Sequence, residues 1–315
     1  MSVRPSAHDT HITAVNPMTT SEQTHSTFTL TGRDGTVVTA YRWVPDGPVR
    51  GIVQLTHGMG EHLLRYAPLA AALTGRGFAV YGQDHRGHGA TAGSPEKHGV
   101  LGETGWAGLV DDIDVLRSHI RGELPDVPLV LLGHSMGSFA VQQYVAAHSD
   151  RIDAAVLSGT GLLDLLEPAL DLSGPMDLSA FNAPFTDRTG YEWLSRDAAQ
   201  VDLYVADPDC GFGLDQPGTV AMFTAARPLA EPETLAAIRD DLPLYVTVGD
   251  ADPVNAGLAL VTPMIERYRA AGLTDVTLAV WPGARHEVFN ETNRDEIVAD
   301  LLAWLDRVVP DRRKD

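Results

Sequence analysis

Two spacings of apolar residues alternate along most of this chain. Gly51–Thr56 (GIVQLT), Phe78–Gly82 (FAVYG), Pro128–Leu132 (PLVLL), Ala154–Leu157, Leu244–Val248 (LYVTV) and Val276–Val280 are short runs that are apolar almost throughout. Such runs suit strands buried on both faces. Between them, apolar positions recur every three or four residues. Leu109, Ile113, Leu116 and Ile120 mark a helix over Trp106–Arg121, and helices are likewise expected over Tyr66–Arg76, Met136–Ala147, Leu258–Ala271 and Arg294–Val308. Upstream, Thr27–Thr31 and Thr36–Trp43 flank Arg33-Asp34-Gly35 and read as a hairpin. The alternation predicts βαβ units, and so an α/β fold with a mostly parallel central sheet and helices on both faces.

One interval breaks the rhythm. Residues 159–242 separate two expected strands, and a crossover needs only a dozen or so residues. The interval is rich in large apolar residues, among them Leu162, Leu166, Phe181, Trp193, Tyr204 and Phe223. It is therefore expected to order itself and to cover a site as a helical lid. The expected organisation is a tail over 1–25, a first core part over 26–160, a lid or cap insertion over 161–232 and a second core part over 233–315. Residues 1–25 are polar and lack the apolar stretch of a secretory signal. They read as disordered or loosely attached, with Met18 as an alternative start.

Composition narrows the partners. The 315 residues are 44% hydrophobic and 21% charged, enough for a large core without covalent staples. Cys210 is the one cysteine, so no intrachain disulfide forms and nothing points to an oxidising compartment; a cytoplasmic location is expected. The net charge of −19 excludes a nucleic-acid partner, since phosphate binding needs a basic face. No run of 18 apolar residues is present, so no membrane-spanning helix is expected. Nothing in the pattern bears on oligomeric state.

The chemistry begins at Gly133-His134-Ser135-Met136-Gly137, a G-x-S-x-G pattern. The bare pattern carries little information, but here it directly follows the apolar strand PLVLL and directly precedes a helix. That strand–turn–helix context is what a nucleophile elbow requires, with Gly133 and Gly137 leaving room for a tight backbone and His134 beside the nucleophile. Ser135 is the candidate nucleophile. A serine needs a base, and this elbow's fold supplies an acid and then a histidine, later in the chain and at strand ends. Asp252 follows strand Leu244–Val248 and His286 follows strand Val276–Val280. His286 is the only histidine after residue 148. Asp250 competes with Asp252 and is read as a support or cap for its loop.

A developing oxyanion needs two backbone donors. One is the amide of Met136, after the nucleophile. The other belongs to the loop His57-Gly58-Met59-Gly60-Glu61-His62, whose His57-Gly58 pair resembles the oxyanion motif of lipases and esterases; the donor is assigned to Met59. Metal ligation by His57 with His62, or by His85 with His88, is not expected, because neither spacing suits a familiar ligand set and Cys210 is distant in sequence. Asp84-His85-Arg86-Gly87-His88-Gly89 is expected to shape the loop beside the nucleophile through buried hydrogen bonds.

With these residues in hand, the chain resembles the monoacylglycerol lipase and lysophospholipase branch of the α/β-hydrolases, a group often labelled serine aminopeptidase-like. The markers are HGMGEHLLRY (57–66), DHRGHGAT (84–91), GHSMGS (133–138), GDADPV (249–254) and GARHEVFNE (283–291). The resemblance runs from about residue 27 to 308. It implies an α/β-hydrolase fold, no cofactor, and hydrolysis of a carboxylic ester of one long acyl chain, such as a monoacylglycerol or lysophospholipid. It carries Ser135, Asp252 and His286 over as a triad, with Met59 and Met136 as oxyanion donors. The same triad also suits small esters, lactones or amides, or acyl transfer. In glycerol-binding members the lid is strongly apolar and docks on membranes. Here residues 171–218 hold nine acids, including Asp177, Glu192, Asp202 and Asp209, which argues against stable membrane insertion.

Overall fold

The computed structural model describes residues 25–186 and 188–310. The tail expected over residues 1–25 therefore lies outside the described residues, apart from His25.

Among the described residues, eight strands form one sheet: β1 (Ser26–Thr31), β2 (Val37–Trp43), β3 (Gly51–Thr56), β4 (Phe78–Gln83), β5 (Leu129–His134), β6 (Ala154–Ser158), β7 (Leu244–Gly249) and β8 (Val276–Trp281). Their spatial order is β1-β2-β4-β3-β5-β6-β7-β8. The hairpin pair β1–β2 and the join β2–β4 are antiparallel, while every pairing from β4 to β8 is parallel.

The long helices are α1 (Ala67–Gly75), α2 (Gly105–Glu123), α3 (Met136–His148), α4 (Ala198–Ala206), α5 (Gln216–Ala226), α6 (Thr262–Ala270) and α7 (Arg294–Val308). They cover both faces of the sheet, and the period of two along each strand shows how. On β5, Leu129 and Leu131 join the core cluster that holds Leu109 and Ile113 of α2 and Tyr144 of α3. Val130 and Leu132 join the opposite cluster, with Leu73 of α1 and Leu301 and Trp304 of α7. Every residue of β3, β4, β5, β6 and β7 is buried, which accounts for their unbroken apolar runs. Burying one leucine fully contributes about 1.5–3 kcal/mol, so each face is strongly held.

One helix starts later than its apolar spacing suggests. Helix α6 begins at Thr262, not Leu258, because Ala256, Gly257 and Leu258 adopt positive φ of 53°, 60° and 75°. That left-handed stretch cannot continue a right-handed helix.

Between β6 and β7 the chain leaves the sheet. It forms a short helix at Leu163–Leu166, a 3-10 turn at Leu178–Asn182, then α4 and α5, and a further short helix at Pro232–Leu235. Asp197 and Asp215 cap α4 and α5, accepting from the amides of Ala199 and Gly218. Among the described residues, no helix is long and apolar enough to cross a membrane.

Candidate active site

The buried strand β5 runs straight into a forced turn. Ser135 has φ 50° and ψ −122°, an unfavourable conformation for a residue with a Cβ, held by the first turn of α3. Its amide donates to the Ser158 carbonyl (2.9 Å), and its carbonyl accepts from Ser138 N (2.8 Å) and Ser138 Oγ (2.6 Å). The flanking glycines are required by close approach. A Cβ on Gly133 would stand 2.5 Å from the Gly137 carbonyl oxygen, and one on Gly137 would stand 2.3 Å from the Thr56 oxygen.

Asp252 and His286 come from the carboxyl ends of β7 and β8, and the structure brings them together. His286 Nδ1 and Asp252 Oδ2 are 2.9 Å apart, with both side chains almost wholly buried. The other Asp252 oxygen accepts from Val254 N (2.9 Å), and Asn255 Nδ2 approaches Oδ2 at 3.4 Å. Asp250 does something else: its Oδ1 accepts from Gly283 N at 2.6 Å, tying two loops. With Nδ1 donating to Asp252, His286 Nε2 is left as an acceptor, and among the described residues it has no hydrogen-bond partner. Burial disfavours a charge on the ring, yet the Asp252 carboxylate outweighs it and raises the His286 pKa above the usual histidine value.

His134, inside the elbow, packs its ring 4.8 Å from that of His286, and its Nδ1 is 3.2 Å from Ser158 Oγ. Burial and the neighbouring His286 depress its pKa to about 3, so it is neutral.

The loop after β3 closes the other side. His57 accepts from His85 N at Nε2 (2.9 Å) and reaches the Gly58 carbonyl with Nδ1 (2.8 Å), which fixes the Nδ1–H tautomer. Burial keeps this ring neutral. Gly58 sits so near Ser135 that an added Cβ would lie 3.1 Å from Ser135 Cβ. Its amide donates to Glu61 Oε1 (2.6 Å), and Met59 and Met136 follow at the pocket wall beside Ser135. The Asp84–Gly89 loop is stitched to this layer: Asp84 accepts from Leu63 N (2.9 Å), Ala90 N (2.8 Å) and the Tyr41 hydroxyl (2.9 Å).

Several contacts here carry no local sequence signal. Arg65 bridges Glu61 (2.5 Å) and Glu287 (2.6 and 2.8 Å), joining the loop after β3 to the residue beside His286. Burial pushes the Glu61 carboxyl up. Burial acts the same way on Glu287, but the two-pronged contact with Arg65 holds it down to about 2. Trp193, from the segment between β6 and β7, sets its indole 4.9 Å from the His286 ring, and its carbonyl accepts from His286 N (3.3 Å). Glu61, Arg65 and Glu287 lie within marker stretches, but only the fold shows that they meet.

Ser135 and His286 line one pocket with a mostly apolar wall. The segment between β6 and β7 supplies most of its wall, with Leu166, Leu170, Phe181, Trp193, Met222 and Phe223 among the apolar contributors. Among the described residues, one cluster of metal-type side chains is present, His62 with Asp207 and Cys210, and it is not part of the pocket wall.

Comparison with known proteins agrees with this architecture. Residues 47–293 match the family described as serine aminopeptidase, S33. The chain is 32% identical over 288 residues to the monoacylglycerol lipase of Mycolicibacterium smegmatis, covering 90% of this chain and 97% of that protein. It is 27% identical to the monoglyceride lipase of Homo sapiens, over 88% of this chain and 89% of that one. Among solved structures, a thermostable carboxyl esterase from Bacillus coagulans is similar with a TM-score of 0.79 at 26% identity, over 90% of this chain and 99% of that one. The monoacylglycerol lipase of Paleococcus ferrophilus is similar with a TM-score of 0.63 at 26% identity, over 85% and 99%.

Proposed function

Starting from the fact that the chain belongs to the serine aminopeptidase (S33) family and is an ester-cleaving serine hydrolase of the α/β-hydrolase fold, we propose that it hydrolyses mono-acyl lipid esters, such as monoacylglycerols or lysophospholipids, through Ser135, His286 and Asp252. The observation that carries this reading is the buried His286–Asp252 pair, whose free Nε2 belongs to the same apolar pocket as Ser135.

In this reading His286 Nε2 removes the proton of Ser135 as Oγ attacks the ester carbonyl. Asp252 fixes the imidazole tautomer and stabilises the imidazolium. The amides of Met59 and Met136 hold the oxyanion, a donor of this kind typically contributing about 3–4 kcal/mol. The tetrahedral intermediate collapses, His286 protonates the departing alcohol, and an acyl group remains on Ser135. Water, activated by His286, then releases the fatty acid. No cofactor takes part.

The segment 161–232 acts as the lid. Its leucines, methionines and aromatic rings form the acyl channel, and the His286 and Glu287 amides bond to its Trp193 and Leu194 carbonyls (3.3 and 2.7 Å). Lid position and base position are thereby coupled. The acidic lid surface favours soluble or micellar substrate over membrane docking, in keeping with a cytoplasmic enzyme.

The test is a substrate series. Ser135→Ala is expected to abolish turnover with an unchanged circular dichroism spectrum. Wild-type kcat/KM is expected to be higher for monoacylglycerols or lysophospholipids than for p-nitrophenyl acetate. A preference for acetate esters, with no turnover of mono-acyl lipids, would move the enzyme to the small-ester class.

A further inference from the structure

The reaction leaves one group of donor side chains unused. His62 closes the loop after β3, whereas Asp207 and Cys210 lie in the turn that follows α4. The fold brings a His62 ring nitrogen, an Asp207 carboxylate oxygen and the Cys210 sulfur within 4.8 Å of one another. His62 Nε2 and Asp207 Oδ2 are 2.9 Å apart. All three residues are half-buried, so donors and solvent meet there. The backbone holds the turn in place: Cys210 N donates to the Asp207 carbonyl (3.1 Å), and Asp209 N donates to Asp207 Oδ1 (2.9 Å). Gly211 N and the Tyr204 hydroxyl both donate to the Gly60 carbonyl (2.9 and 2.8 Å), seating the turn on the loop that carries Met59.

We propose that His62, Asp207 and Cys210 form a binding site for a thiophilic divalent cation, zinc(II) being the type, which ties the segment between β6 and β7 to the loop after β3. An imidazole nitrogen, a carboxylate oxygen and a thiolate sulfur form a donor set that a borderline-soft cation takes, with water in the fourth position. Tetrahedral N and O ligands about 2.0–2.1 Å from zinc stand about 3.3 Å apart, so the His62–Asp207 pair needs to open only slightly. The surroundings favour positive charge. Asp209 stands 3.2 Å from His98, and Glu61 and Glu287 share the single Arg65 guanidinium. The thiolate, not the thiol, ligates a metal, so the Cys210 thiol must give up its proton on binding. Binding a cation releases that proton, and affinity falls as pH falls. The ligands come from two segments that are far apart in sequence, so a bound cation restrains the insertion.

Cys210 is the chain's one cysteine, which makes the test specific. The full chain, freed of metal by a chelator, is titrated with cobalt(II) and then with zinc(II). One equivalent of cobalt is expected to produce a thiolate-to-cobalt charge-transfer band, which zinc abolishes. Cys210→Ser is expected to lose the band and at least about tenfold in zinc affinity, measured by competition with a chromophoric chelator. Zinc is also expected to raise the Tm of the wild type and not that of Cys210→Ser. His62→Gln and Asp207→Asn should weaken zinc in the same way; if either fails to fold, Cys210→Ser, checked by circular dichroism, decides alone. No charge-transfer band, or equal zinc affinity in the wild type and Cys210→Ser, would overturn the proposal.

Discussion

His286 Nδ1 stands 2.9 Å from Asp252 Oδ2 in a site almost closed to solvent, whereas Asp250 uses its carboxylate on the Gly283 amide. The two acids are two residues apart and make different contacts. Asp252→Asn is expected to lower kcat by roughly 10³–10⁴, because the amide no longer holds the imidazole in the reactive tautomer. Asp250→Asn is expected to stay within about tenfold. Steady-state kinetics on a p-nitrophenyl ester separate the two, and equal losses would remove the distinction.

The same pair sets the pH dependence. In the proposed mechanism the base works unprotonated, so kcat/KM is expected to rise as His286 loses its proton. Asp252 raises the folded pKa of His286 over the opposing effect of burial. The acid limb of kcat/KM is therefore expected to have its midpoint above about 6.5, the ordinary histidine value. In Asp252→Asn the residual activity should show that limb shifted to lower pH. A limb unmoved by the substitution would assign it to another group.

Acid stability follows from other histidines. Burial lowers the pKa of His57, of His85 to about 3, of His88 to about 4 and of His134 to about 3. Below about pH 6.5 the unfolded chain takes up these protons and the folded chain does not. Their contribution is thus present above the unfolded pKa and is lost as pH falls toward the folded values. Each group steepens the loss by up to about 1.4 kcal/mol per pH unit. Urea denaturation at pH 7, 6 and 5 measures the slope, and His85→Gln should flatten it.

Pocket shape offers a further check. Met222 is buried and lines the wall with Phe223. Met222→Trp puts a bulky indole ring into that space. It is expected to lower kcat/KM for long-chain p-nitrophenyl esters at least tenfold, about 1.4 kcal/mol, while acetate stays within about threefold. Equal losses on both would indicate general damage rather than a shortened acyl channel.

Much of this was legible in the sequence. The parallel strands announce themselves because every residue of β3 to β7 is buried and the runs are unbroken. Ser135, Asp252 and His286 stand out as candidates because strand ends and chain order can both be read from the sequence, and the structure brings Asp252 and His286 together. Other features depend on contacts between distant segments. Trp193 meets the His286 loop across more than ninety residues, and Arg65 meets Glu287 across 222. No periodicity encodes either approach. The start of α6 has no signal in the sequence, because the three successive positive φ values include Ala256 and Leu258, residues with no special tolerance for them. Cys210 is remote from His62 in sequence, and only the fold brings the two together.

The central claim is that Ser135 is an activated nucleophile, and covalent labelling measures it most directly. The protein is treated with a fluorophosphonate, and the adduct is mapped by peptide mass spectrometry while residual esterase activity is followed. One adduct per chain is expected, on Ser135, rising in step with the loss of activity and slowed by the Asp252→Asn substitution. An unlabelled Ser135 in protein that still hydrolyses esters, or full activity after Ser135 is labelled, would contradict the account.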